Sequence, residues 1–139
     1  MNKEIIFRSF NDSDYNLVSQ WWDWWWGDKG AIEREYLPHD NYCYIIGKEN
    51  QMVAAGFLFI DKHAPVGYLT YVVSNPDYRQ KDRRSIIEQL ILNIERQAKQ
   101  EGIKFIFTVC GNVHMENIHN KLSWTIDKTA PAYETFKYI

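Results

Sequence analysis

The chain has 139 residues, 45% of them hydrophobic and 24% charged, which is enough for one domain with one sizeable core. Sixteen Lys and Arg against eighteen Asp and Glu leave a net charge of −2, so nothing draws the whole molecule to nucleic acid or to a membrane surface. Any anion site has to be local. Two cysteines, Cys43 and Cys110, make neither a disulfide framework nor a metal-ligand spacing, and fit a reducing cytoplasm. The N-terminus has no signal-peptide core, and no apolar run reaches membrane-spanning length. The unusual feature of the composition is its tryptophan. There are six, and five fall between Trp21 and Trp26.

In chain order, Glu4 to Phe10 reads as a first strand. Asn11-Asp12-Ser13-Asp14 supplies capping residues for a helix from about Asp14 to Trp26. On a helical wheel Leu17, Val18, Trp21, Trp22 and Trp25 share one face, and this predicts that they are buried; Trp24 and Trp26 point elsewhere. Five indoles exceed what one short helix can bury, so the off-face pair is expected to line a pocket or meet a partner, a second copy of the chain included. Gly27-Asp28-Lys29-Gly30 breaks the helix. Ala31 to Tyr36 suggests a short second helix, and Leu37 to Asn41 a loop. Tyr42 to Lys48 and Gln51 to Asp61, joined at Glu49-Asn50, read as an antiparallel hairpin.

Tyr68 to Val73 is aromatic and β-branched, and Asn75-Pro76 closes it as a strand. Ile86, Ile87, Leu90, Ile91, Ile94 and Ala98 recur at helical spacing. Gly102 ends that helix, and Ile103 to Val109 follows at once as a strand. Such a strand–helix–strand unit predicts two parallel strands joined by a right-handed crossover. Where the helix begins, Arg79, Lys81, Arg83 and Arg84 gather around free backbone N–H groups and the positive end of a helix dipole. Arginine there opposes the dipole unless an anion joins it. A helix from about Val113 to Leu122 and a terminal β segment from Trp124 to Ile139 complete the chain.

The run Asn75-Pro76-Asp77-Tyr78-Arg79, with its short turn and long helix, resembles the acyl-CoA-binding motif of the GNAT N-acetyltransferase superfamily. In that family a strand leads into (Gln/Arg)-x-x-Gly-x-(Gly/Ala), whose amides hold the CoA pyrophosphate. Arg79 matches the first position, whereas Asp82 and Arg84 occupy the two small-residue positions. The chain is also similar to a glycine-poor branch of such proteins associated with bacteriophage genomes. It shares an aromatic-rich first helix, a Leu-Pro before the second strand and a Ser-Asn-Pro turn; the host cytoplasm would then be its compartment. The resemblance implies an α/β fold of order β-α-(α)-β-β-β-α-β-α-β, a mixed sheet flanked by helices, as one domain over residues 1–139.

It further implies acetyl-CoA as co-substrate, no metal, and transfer to a primary amine on a small molecule or a protein. Val72, Val73 and Ser74 would hold the pantetheine arm. Arg79, Gln80, Lys81, Arg83, Arg84 and Ser85 would hold the phosphates. Tyr71, Trp24 and Trp26 are candidates for the acceptor side. The later pattern Asn-x-x-Ala-x-x-x-Tyr-x-x-x-Gly-Phe is matched at Asn112, a further cofactor candidate. Met115 replaces its Ala, and Ser123-Trp124 its Gly-Phe. His119 falls on the Tyr that protonates the departing thiolate, and is the candidate general acid, though a histidine bordering an apolar stripe is more often structural. No acid occupies the Tyr68 strand, and Glu33, Glu35, Asp40 and Asp61 are equally placed candidates for the base. The alternative is a GNAT-fold protein that binds CoA or a protein partner without catalysis, for which the lost glycines and the Tyr-to-His change speak.

Overall fold

The computed structural model describes residues 4–27, 30–38, 42–61, 63–129 and 135–139. These fall into two compact units, residues 1–109 and residues 110–139.

The first unit is a five-stranded sheet with a helix on each face. Its elements are β1 (Ile5–Ser9), α1 (Tyr15–Trp26), β2 (Cys43–Lys48), β3 (Gln51–Ile60), β4 (Val66–Ser74), α2 (Arg83–Gln100) and β5 (Phe105–Phe107). Strand order repeats chain order, β1-β2-β3-β4-β5, with antiparallel pairs throughout except the parallel β4–β5 pair closed by the α2 crossover. The mixed sheet and its order are those expected of the sequence. In place of the short helix expected over Ala31 to Tyr36 there is a single 3₁₀ turn, Arg34–Tyr36.

Side-chain alternation along β3 divides the core. Ala55 and Phe57 face α1 and join Phe10, Val18, Trp21, Trp22, Leu37, Cys43, Ile45 and Val73 in one buried cluster. The intervening Gly56 faces α2: a Cβ there would lie 3.0 Å from Ile94 Cδ1 and 3.6 Å from Leu90 Cδ2. The stripe Ile86, Ile87, Leu90, Ile91, Ile94 and Ala98 is buried as its spacing predicts. Gly102, at φ +83°, ends α2 in a Schellman motif, in which the Ile103 N–H donates to the Ala98 carbonyl and the Gly102 N–H to that of Lys99. At the other end of the sheet Arg8 in β1 grips Asp14 through two bonds of 2.7 and 2.9 Å, tying the strand to the start of α1.

The tryptophans divide differently from the wheel. Trp21 and Trp22 are buried, but Trp25 is 44% exposed and Leu17 40%. The last turn of α1 lies over the C-terminal end of β4, where the Trp25 indole N–H finds the Ser74 carbonyl at 2.8 Å. Trp24 and Trp26 are 58% and 50% exposed.

The second unit contains α3 (Val113–Lys121), capped by the Asn112 side chain, which accepts from the Met115 N–H at 3.0 Å. The β segment expected from Trp124 onward is not seen in the described residues: 124–129 and 135–139 carry no strand, and 130–134 lie outside the description. No helix among the described residues is long and apolar enough to cross a membrane.

A candidate acyl-CoA site where β4 meets α2

β5 pairs with β4 only at Val66, Gly67 and Tyr68. Beyond that, no strand among the described residues pairs with the last six residues of β4 on this side; the Thr108 hydroxyl donates to the Leu69 carbonyl at 2.6 Å. Across from it the β3–β4 ladder slips. Ala55 faces Val73 and Phe57 faces Thr70, so Tyr71 and Val72 together oppose Gly56 in a bulge. Tyr71 takes φ 54°, a left-handed conformation that a bulky residue keeps only where its surroundings enforce it. They do: its carbonyl accepts the Trp22 indole N–H at 3.2 Å, and its ring meets those of Trp22 and Phe59 edge-on.

Past the bulge the strand's orientation can be read from one bond. The Asn75 N–H donates to Val53, so Ser74, paired with Ala54, turns its own N–H and carbonyl away from β3, while Val73 faces Ala55. Of the three strand residues expected to meet pantetheine, Ser74 therefore presents its backbone, Val73 spends its own on the ladder, and Val72 lies in the bulge. The Asn75 side chain then fixes the turn, donating to the Met52 carbonyl and accepting from the Asp77 N–H.

The basic turn follows. Asp82 is the N-cap residue of α2, but its side chain makes no cap bond. Among the described residues the Arg84 and Ser85 N–H groups have no backbone acceptor, so two donors of the first turn stay open. Arg83 stacks over the Trp25 ring, 5.2 Å from its centroid, and donates to the Ser74 hydroxyl. Burial, with Arg79 adding repulsion, lowers its pKa. No carboxylate among the described residues pairs with Arg79, Lys81 or Arg83, whereas Arg84 reaches Glu88 at 3.5 Å. Arg79 donates to the Pro76 carbonyl at 3.4 Å. Lys81 and Gln80 are exposed.

Asp82, which stands where the family motif has glycine, is occupied elsewhere. It accepts from Lys48 Nζ at 2.7 Å and from the Tyr78 hydroxyl at 2.6 Å. Lys48 and Tyr78 escaped the reading of the sequence. A lysine ending an apolar strand looks like ordinary solvation; only the i,i+4 spacing of Tyr78 and Asp82 hinted at a local bond.

Trp24 and its neighbours Leu17, Gln20 and Trp21 line an open groove of about 560 Å³, closed by the β2–β3 turn and by Asn75, Pro76 and Asp77. This groove adjoins the turn at the phosphate end of β4, not the bulge. Trp26 is not among its walls and instead stacks on Trp22 at 6.3 Å. Of the candidate bases, Glu33 and Glu35 flank or sit in the 3₁₀ turn, Asp61 follows β3 and accepts from the His63 N–H, and Asp40 lies outside the described residues.

In the second unit His119 is 2% exposed, its ring 4.6 Å from that of Trp124, and its Nδ1 has no hydrogen-bond partner among the described residues. Burial lowers its pKa and favours the neutral imidazole. Asn112 spends its side-chain oxygen on capping α3. Among the described residues no three His, Cys, Asp or Glu side chains gather as metal ligands.

No curated protein matches the sequence. Solved structures do. N-acetylglutamate synthase from Neisseria gonorrhoeae, complexed with coenzyme A and N-acetyl-glutamate, is 17% identical with a TM-score of 0.67 over 86% of this chain, which spans only 28% of that one. Aminoglycoside N-acetyltransferase AAC(6')-Iy in complex with CoA is 15% identical, with a TM-score of 0.70 over 97% of both chains. A predicted acetyltransferase with acetyl-CoA from Clostridium acetobutylicum is 17% identical, with a TM-score of 0.64 over 94% of this chain and 96% of its own. These likenesses show a shared fold. The model of the acetyltransferase (GNAT) family matches residues 8–123, most of the length, and the chain belongs to that family.

Proposed function

We propose that the protein binds acetyl-CoA along the outer edge of β4, with the phosphates at the start of α2, and transfers the acetyl group to a primary amine. One observation carries this reading: β5 leaves β4 after Tyr68, and the strand edge so freed leads to a helix start with open N–H donors and three cations that pair with no carboxylate among the described residues. Pantetheine carries amides that can bond an open strand edge, and Ser74 offers both a donor and an acceptor. The Trp25 indole now on the Ser74 carbonyl would yield that acceptor to the ligand.

In the reaction the neutral amine attacks the thioester carbonyl directly. A C–N bond forms, the C–S bond breaks, the nitrogen loses a proton and the CoA thiolate gains one. His119 is proposed as the donor to the thiolate, in the place where the family carries tyrosine, and residues 1–139 are taken as one acyltransferase domain. AAC(6')-Iy and N-acetylglutamate synthase are named for amine acceptors as different as an aminoglycoside and glutamate, which supports an amine here without choosing one.

Titration calorimetry with CoA tests the binding half. Replacing Arg83 and Arg84 by Ala together should weaken binding by about 1–3 kcal/mol, the scale of lost charge-assisted hydrogen bonds, with Arg83 giving the larger part because Arg84 is shared with Glu88. No heat with the intact protein at millimolar CoA would remove the proposal. Thiol release from acetyl-CoA across a panel of amines separates an enzyme from a protein that binds CoA without turnover.

A further inference from the structure

The family's phosphate loop uses glycine so that backbone can approach a pyrophosphate closely, and this chain puts a carboxylate in that position. A lone aspartate between Lys81 and Arg83 would repel the anion the turn is built to attract. The neighbouring elements deal with it. Lys48, the last residue of β2, reaches Asp82 Oδ2 at 2.7 Å, and Tyr78 donates its hydroxyl to Oδ1 at 2.6 Å. Both carboxylate oxygens are thus spoken for, and Asp82 makes no cap bond to the N–H groups of the first turn. Asp82 is not an anchor for the helix start but a partner for Lys48. Lys48 and the carboxylate also tie the β2–β3 hairpin to the turn that starts α2.

We propose that Lys48 is a positioning residue for the phosphate turn: it neutralises Asp82 and draws it off, so that a turn without glycine can still receive the phosphates of an acyl-CoA. The inference rests on the reading of α2's start as the phosphate site. Its physical content is electrostatic, since an unneutralised carboxylate a few ångströms from a pyrophosphate opposes binding even in a solvated setting.

Lys48→Met, which keeps most of the length of the side chain and removes the charge, should lower CoA affinity about tenfold, a change that one charge at short range can produce. Adding Asp82→Asn should restore it to within about threefold of the intact protein. That rescue is the decisive readout, because a pair that merely held the turn's shape would leave the double variant as weak as the single one. Pantetheine, which has no phosphate, should bind all three proteins alike. Asp82→Asn alone should bind CoA at least as well as the intact protein, and this keeps the question answerable if Lys48→Met proves too unstable to purify. Unchanged CoA affinity in Lys48→Met, a double variant that stays weak, or Asp82→Asn that binds worse would each overturn the inference. Failure of the intact protein to bind CoA would instead remove the phosphate-site reading beneath it.

Discussion

Trp22→Ala is expected to destabilise the protein by about 3–5 kcal/mol, the range found when a large core side chain is cut to a methyl. Trp22 has no exposed surface, and its ring lies 5.5 Å from Phe57 and 6.4 Å from Tyr71. It also supplies the indole N–H that the Tyr71 carbonyl accepts, so truncation opens a cavity and strips a partner from the bulge in β4. For a chain of this length the melting temperature should fall by roughly 10–20 °C. Trp24→Ala is the contrast. More than half of that side chain is in solvent, and its loss should cost less than about 1 kcal/mol while altering whatever enters the groove. Two melting curves decide the matter, and equal losses would mean that the exposed indole is as structural as the buried one.

His119→Ala is expected to lower turnover about hundredfold with little change in CoA affinity, the usual effect of removing a general acid. His119→Tyr, the family's residue, should return part of the rate. Burial adds a signature in pH. The folded protein holds the His119 pKa below its ordinary 6.5, so an acid role through the imidazolium fades as pH rises through that lowered value. Stability runs the other way. The unfolded chain takes up a proton near pH 6.5 that the folded one refuses, so the contribution is complete above 6.5 and is lost as pH falls through the folded value. His119→Phe, which keeps a ring beside Trp124, should flatten that loss of melting temperature in acid. If His119→Phe turns over at the normal rate, the histidine is packing and the proton comes from elsewhere.

The sequence spoke clearly wherever a residue's neighbours in the chain determine its surroundings. The α2 stripe, the Gly102 stop and the hairpin strands lie where periodicity and turn chemistry put them. It spoke less clearly where a side chain answers to a distant element. Trp25 sits on the buried face of its own helix by wheel, yet a carbonyl 49 positions away fixes its indole half outside the core. Asp82 stands at the N-cap position of α2, where an aspartate ordinarily bonds the first turn, and a lysine from β2 takes it. Tyr71 reads as an ordinary strand residue, and the slip opposite Gly56 gives it a left-handed backbone. Each of these exceptions falls at or beside the proposed acyl-CoA site, where local preference and tertiary demand part company.

Strand order that repeats chain order also shapes how the chain arrives at this fold. β1 to β4 are antiparallel neighbours in sequence order, and the β2–β3 and β3–β4 connections are short, so much of the sheet can assemble by closing small loops. β5 must wait for the whole of α2 to cross over before it can pair, and it then gains only three registered residues. The edge that parts from β4 is therefore expected to be the last to form and the first to open. Native-state hydrogen exchange should show it as the lowest rung of the sheet, with β5 amides exchanging well before those of β3; equal protection along both strands would show that the sheet opens as one unit instead.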